Sequence, residues 1–143
     1  YILSCDPEKN ALIFQTLSWA SALRDWSGPA EGERPSAYII ILLDKEIAQS
    51  TSCDQGIAAQ SILLGAVEKG LGGCMFGSAK REVLRNNLNI PEQYDPILVL
   101  ALGEPGEKIA LETLEPGQSF DYWRDSDSVH HVPKRRLDDI IVS

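Results

Sequence analysis

The chain is 143 residues long and carries 21 acidic against 13 basic side chains, a net charge of −8 that would repel a phosphate backbone and argues against nucleic acid as a partner. Hydrophobic residues make up 43%, enough at this length for one domain with a substantial core and too little for two. The longest apolar run, Ala37 to Leu43, has strand length and falls far short of the roughly 18 residues needed to cross a bilayer, so no membrane segment is expected.

In chain order, Tyr1–Ser4 reads as a short strand that begins without a preceding turn or cap. Asp6 is placed to cap a helix whose first position is Pro7, where the missing N–H costs nothing. Leu12, Ile13, Thr16, Leu17, Ala20 and Leu23 recur at helical spacing and predict a helix that buries one face. Arg24 to Ser36 is rich in Gly, Pro and charge and reads as an exposed loop. Trp26 within it either anchors that loop to a core or faces a ligand.

Ala37–Leu43 predicts a buried strand, and Asp44 to Ser52 is polar and weakly patterned. Ile57 to Val67 is apolar nearly all round, with Ala58, Ala59, Ser61, Gly65 and Ala66 interleaved, as expected of a helix at the centre of a core. Gly70 followed by Leu71 predicts a Schellman-type stop. Gly72 to Gly77 is a glycine-bracketed strand, and Ser78 is placed to cap a helix to Leu88 with Val83, Leu84 and Leu88 inward. Asn89 to Asp95 reads as a loop and Pro96–Gly103 as a second buried strand. Glu104 to Gln118 is polar, with turns at Pro105-Gly106 and Pro116-Gly117. The tail from 119 to 143 has no core of its own, yet it is apolar enough that it should pack on this subunit or another. The pattern predicts an α+β fold: one domain over 1–143, with helices covering a sheet of at least four strands and 119–143 as an extension.

Candidates for chemistry are few. Cys5, Cys53 and Cys74 are odd in number and lack CxxC spacing, which argues against a disulfide framework or a zinc site and fits a reducing, cytoplasmic setting. No G-x-S-x-G elbow, Walker loop or G-x-G-x-x-G fingerprint occurs, and His130-His131 lacks a second cluster at metal-ligand spacing. Glycines at 72, 73 and 77 could let a planar ligand lie against backbone, or could simply make a tight turn. Lys134-Arg135-Arg136 is either a solvated basic turn or an anion site.

The block from Asp54 to Pro105, DQGIAAQSILLGAVEKGLGGCMFGSAKREVLRNNLNIPEQYDPILVLALGEP, resembles the central segment of the nitroreductase family. There, an Asp-x-Gly/Ala-x-Ala-x-Gln helix runs into a Gly-Leu-Gly turn, a short strand, a helix with a Leu-x-Ile/Leu-Pro exit, and a strand ending in Leu-Gly-x-Pro. The tail HHVPKRRLDDIIV is similar to the family's basic C-terminal motif, and YILSCDPE to the strand after its Asn-x-Gln-Pro segment. The resemblance implies a nitroreductase-like central mixed or antiparallel sheet flanked by helices, an intertwined homodimer, and FMN held between subunits. It implies hydride transfer from NAD(P)H to small electron acceptors such as nitroaromatics or quinones; a flavin-binding or structural dimer without turnover is the alternative. Phe76, Gly77 and Ser78 then fall where backbone meets the flavin ring, Gly73 and Cys74 beside them, and Lys134 and Arg135 where the phosphate is paired. Arg136 is a weaker match, because the register of the basic motif varies. Asp54 and Gln60 read better as capping and core hydrogen bonding. The family's Arg-x-Ser-x-Arg and Ser-x-x-Asn-x-Gln-Pro stretches have no counterpart here, so the chain reads as an N-terminally shortened member: weak or absent FMN is expected if the molecule begins at Tyr1, and normal flavin binding if residues precede it.

Overall fold

The computed structural model describes residues 1–142, which separate into two compact units. The first comprises residues 1–18 and 29–105, the second residues 19–28 and those from 106 onward.

The first unit is built on a four-stranded antiparallel sheet, with helices packed on it. Its elements are β1 (Ile2–Ser4), α1 (Pro7–Phe14), β2 (Ala37–Asp44), α2 (Asp54–Glu68), β3 (Gly72–Phe76), α3 (Arg81–Leu88) and β4 (Tyr94–Gly103). The strand order is β1-β2-β4-β3, so β1 and β3 are the edges. The register pairs Ile39 with Leu100 and Gly73 with Leu102. Because side chains alternate across a sheet, Ile39, Ile41, Leu98 and Leu100 share one face, and they meet Ala58, Ala59 and Ile62 of α2. The alternate set, with Tyr38, Ile40, Val99 and Phe76, is buried on the other face, where α1 touches β2 and α3 touches β4. The register slips between Ile41 and Leu42 so that Pro96, which has no N–H to give, takes its place beside a bulge.

Local chemistry explains most boundaries. The Asp6 carboxylate accepts from the Lys9 N–H at 2.8 Å and caps α1, with Pro7 in its first turn. The predicted continuation through Ala20 and Leu23 does not form. The Thr16 hydroxyl donates back to the Ile13 carbonyl at 2.7 Å, the bonds at 16 and 17 tighten to three-residue spacing, and Ala20 takes a φ of +27°. At the end of α2, the Leu71 N–H reaches the Ala66 carbonyl and the Gly70 N–H reaches that of Val67, with Gly70 at φ +76°. This is the expected Schellman stop, and the left-handed residue there favours glycine.

Three expectations fail within this unit. The α2 helix lies against one side of the sheet and not at the centre of a core, leaving Ile57, Leu64 and Val67 exposed. Ser78 does not cap α3; the cap position is Lys80, whose N–H donates instead to the Thr16 carbonyl at 2.9 Å. Val83 points outward, while Leu84 is fully buried.

The second unit is a three-stranded mixed sheet of β5 (Lys108–Thr113), β6 (Trp123–Arg124) and β7 (Val129–Lys134), in the order β5-β7-β6. A 3-10 turn follows at Leu137–Asp139. The stretch read as polar connection therefore contains a strand, and the tail adds two more to complete the sheet. The pattern hid β5 because its apolar residues Ile109 and Leu111 are the exposed ones, while Ala110 and Glu112 are half-buried. Trp26 is anchored within this unit, edge-on to Trp19 at 6.1 Å and beneath the Arg124 guanidinium at 4.6 Å.

Candidate functional site

The glycine-bracketed strand is the sheet edge β3, and its glycines serve different purposes. A Cβ on Gly73 would lie 2.4 Å from Leu63 Cδ2 and 2.8 Å from Leu102 Cδ2, so this glycine lets α2 seat on the sheet. At Gly77 nothing lies within 4 Å of the corresponding position. The chain thus presents bare backbone to open space where β3 ends.

Phe76 closes the strand with its ring buried, whereas Gly77 and Ser78 are exposed. Among the described residues, the N–H groups of Gly77 and Ser78 donate to no protein acceptor. Two adjacent donors beside a residue without a side chain leave this backbone accessible to an outside acceptor. Cys74 is exposed on the same strand, two residues before Phe76. Gly73, Cys74, Phe76, Gly77 and Ser78 are therefore brought together on one edge of the first unit.

Lys134 and Arg135 belong to the second unit, at the end of β7 and just past it. The Lys134 backbone is fixed, since its carbonyl accepts from the Leu114 N–H at 2.9 Å. Its side chain is exposed and, among the described residues, has no acidic partner. Arg135 is engaged locally, its guanidinium donating to the Asp139 carbonyl. A cation on a fixed backbone with no counter-ion is suited to an anionic ligand group.

Asp54 and Gln60 do not play the roles expected of them. The residue at the α2 cap position is Cys53, with no side-chain cap, and Asp54 sits in the first turn where its charge suits the helix dipole. Gln60 is exposed, and among the described residues it makes no core hydrogen bond.

One constellation escaped sequence reading. His131 lies between two carboxylates, with Nδ1 2.6 Å from Glu112 Oε1 and Nε2 3.1 Å from Asp125 Oδ2. His130 Nδ1 faces Glu107 Oε2 at 3.2 Å, and Glu107 also pairs with Arg124. The acids lie 6 to 23 residues from their histidines, a separation that follows no motif. No group of three or more ligating side chains able to hold a metal occurs among the described residues. No helix there is long and apolar enough to cross a membrane.

The model of the nitroreductase family matches residues 31–104 of this sequence, and the chain belongs to that family. Among solved structures, an FMN-dependent nitroreductase from Clostridium difficile R20291 is similar at 24% identity with a TM-score of 0.57, over 75% of this chain and 63% of that one. A nitroreductase family protein from Clostridium novyi NT aligns at 20% identity and TM-score 0.57, over 72% and 60%. An NADPH:FMN oxidoreductase from Vibrio harveyi, solved with NAD+, aligns at 23% and 0.55, over 74% and 50%. At these identities the likeness is one of fold, and the α+β architecture agrees with it. The chain spans about three-fifths of the length of the first two and half of the third.

Proposed function

We propose that this chain is part of an FMN-dependent oxidoreductase, working as a homodimer, that takes hydride from NAD(P)H and passes electrons to small acceptors such as nitroaromatics or quinones. The observation that carries the reading is the pair of unspent N–H donors at Gly77 and Ser78 beside the open position at residue 77. Family membership, and the FMN named for the Clostridium difficile and Vibrio harveyi proteins, support a flavin as the ligand of these donors.

Taken unit by unit, the first offers backbone donors whose chemistry suits a flavin ring and the second a cation whose chemistry suits a phosphate. Phe76, Gly77 and Ser78 would hold the ring through backbone, with Gly73 and Cys74 along the same edge. Lys134 and Arg135 would take the phosphate, Lys134 first because its ammonium has no competing partner. The chemistry that bound FMN supplies is reversible acceptance of a hydride, which needs no catalytic triad from the protein. The amide donors favour the more electron-rich state of whatever lies against them, since fixed dipoles need not reorganise. Homodimerisation fits the apolar residues this chain leaves uncovered, Ile57, Leu64 and Val67 on α2 and Ile140 and Ile141 in the tail. The tail beyond residue 119 would then pack on the partner subunit. A cytoplasmic setting accords with three exposed cysteines that are held in no disulfide among the described residues.

Reconstitution tests the reading. The full chain is mixed with FMN, freed of excess by gel filtration, and reduced anaerobically with NADH or NADPH. The expected outcome is a yellow protein that bleaches and regains colour with a quinone. A yellow protein that neither nucleotide bleaches would be a flavin-binding dimer without turnover, and one that stays colourless overturns the proposal.

A further inference from the structure

His131 has a problem of valence that its surroundings resolve in one way. A neutral imidazole carries one N–H, yet both ring nitrogens of His131 face carboxylate oxygens, Glu112 on β5 at 2.6 Å and Asp125 in the β6–β7 turn at 3.1 Å. Only the imidazolium can donate to both. The third neighbour points the same way: the Trp123 indole of β6 stacks on the ring, with centroids 4.9 Å apart and planes 3° from parallel, and an aromatic face attracts a cation.

We propose that His131 is a proton-gated latch of the C-terminal unit: the imidazolium ties β7 to β5 and to the β6–β7 turn, and loss of its proton releases one of the two ties.

The partners are themselves fixed. Asp125 Oδ1 accepts the backbone N–H groups of Asp127 and Val129, each at 2.9 Å, leaving Oδ2 for the histidine. Glu112 projects from β5, whose parallel register with β7 pairs Ala110 with His131. Of the other charged groups around the sheet, Glu107 and Arg124 pair with each other, and Glu107 also takes His130. Asp127 contributes its backbone N–H to the Asp125 carboxylate. Among the described residues, the charged groups that act on His131 are the carboxylates of Glu112 and Asp125.

The two acids hold the His131 imidazole above its ordinary 6.5, the hydrogen bond to Glu112 first and that to Asp125 second. The Asp125 carboxyl is held below its ordinary 3.8, by His131 first and then by the Val129 N–H. A histidine raised on folding stabilises the folded unit below its unfolded value and loses that contribution as pH climbs through the raised one. An aspartate lowered on folding stabilises above its unfolded value and loses the contribution as pH falls through the lowered one. Both contributions are present together between about 3.8 and 6.5, and the latch opens on the alkaline side.

The sequence contains two histidines, so the test is direct. Proton NMR of the full chain follows the two imidazole Cε1–H resonances against pH, and His131→Gln assigns them by deletion. The His131 resonance is expected to titrate above 6.5, and Glu112→Gln and Asp125→Asn should each move its midpoint down. Tryptophan emission, quenched by a stacked imidazolium, should rise across the same midpoint in the wild type and stay flat in His131→Gln. Should His131→Gln fail to fold, the resonance that moves in both carboxylate variants makes the assignment. A midpoint at or below 6.5, a midpoint indifferent to both carboxylates, or emission that does not follow the titration would overturn the latch.

Discussion

Leu63 Cδ2 stands 2.4 Å from where a side chain on Gly73 would begin, so the contact between α2 and the edge strand β3 depends on that hydrogen. The Ala101 carbonyl, at 2.9 Å, closes the space from the sheet side and cannot rotate away. Gly73→Ala is expected to cost about 1–3 kcal/mol by overpacking, read as a lower urea midpoint with an unchanged slope. Adding Leu63→Ala should recover part of that loss, because the two changes share one space. Strict additivity of the two losses would remove the contact from the account.

Arg85 holds α3 to the start of β4. Its guanidinium donates to the Pro91 carbonyl at 2.9 Å, the Tyr94 carbonyl at 2.7 Å and the Asp95 carboxylate at 3.3 Å. The planar fork serves these acceptors from two terminal nitrogens, where an ammonium has only one. Arg85→Lys should lower stability by about 2 kcal/mol, as expected for lost hydrogen bonds to a charged group. Equilibrium unfolding measures it, and a change within error would mean that water replaces these bonds at no cost.

Elements whose own pattern decides them were legible in the chain. The Asp6-Pro7 start, the Gly70 stop and the strands at Ala37 and Pro96 rest on local chemistry and uninterrupted apolar runs, and all are present. What failed depended on partners distant in sequence. The Lys80 N–H finds the Thr16 carbonyl, so α3 starts late, and no local signal marks that bond. The β5 strand places Ile109 and Leu111 outward, reversing the alternation that marks a strand packed on its own core. At the candidate site, glycine spacing marked the strand β3 but could not distinguish Gly73, which is needed for packing, from Gly77, which is open. The acids facing His130 and His131 come from β5, the residue before it and a turn, and only pairing brings them together.

Gly77→Val tests the proposed ring site. Because nothing lies within 4 Å of the Cβ position, the substitution should leave folding nearly untouched. It would place two methyl groups over the Gly77 and Ser78 donors, and FMN affinity should fall at least tenfold in a fluorescence titration. Unchanged affinity would move the proposed ring site away from this edge.

Lys134→Ala should weaken FMN and spare riboflavin, which lacks the phosphate. An exposed lysine without an ion-pair partner contributes little to stability, so the unfolding midpoint is expected to hold. Loss of one charge-assisted contact, about 1.5–3 kcal/mol, corresponds to roughly a 10- to 150-fold rise in the Kd for FMN. Arg135→Ala should have the smaller effect, since its guanidinium already serves the Asp139 carbonyl. Equal losses for FMN and riboflavin would place the lysine elsewhere than at the phosphate.

Tyr38 is 1% exposed on β2, and its hydroxyl has no hydrogen-bond partner among the described residues. Burial disfavours the phenolate and pushes the group up to about 12, with Arg34 offsetting part of the shift. An acid raised on folding costs stability once the unfolded state begins to lose its proton. The folded protein should therefore weaken steadily from pH 10 towards 12, a slope that Tyr38→Phe removes. At neutral pH the same variant should be more stable by about 1 kcal/mol, because an unsatisfied hydroxyl leaves an apolar site. Absorbance at the tyrosinate band gives an independent check: of the four tyrosines, one should ionise late, and Tyr38→Phe should abolish that late step. A late step that persists in the variant would take the assignment away from Tyr38, and a loss of neutral-pH stability would mean that the hydroxyl has a partner after all.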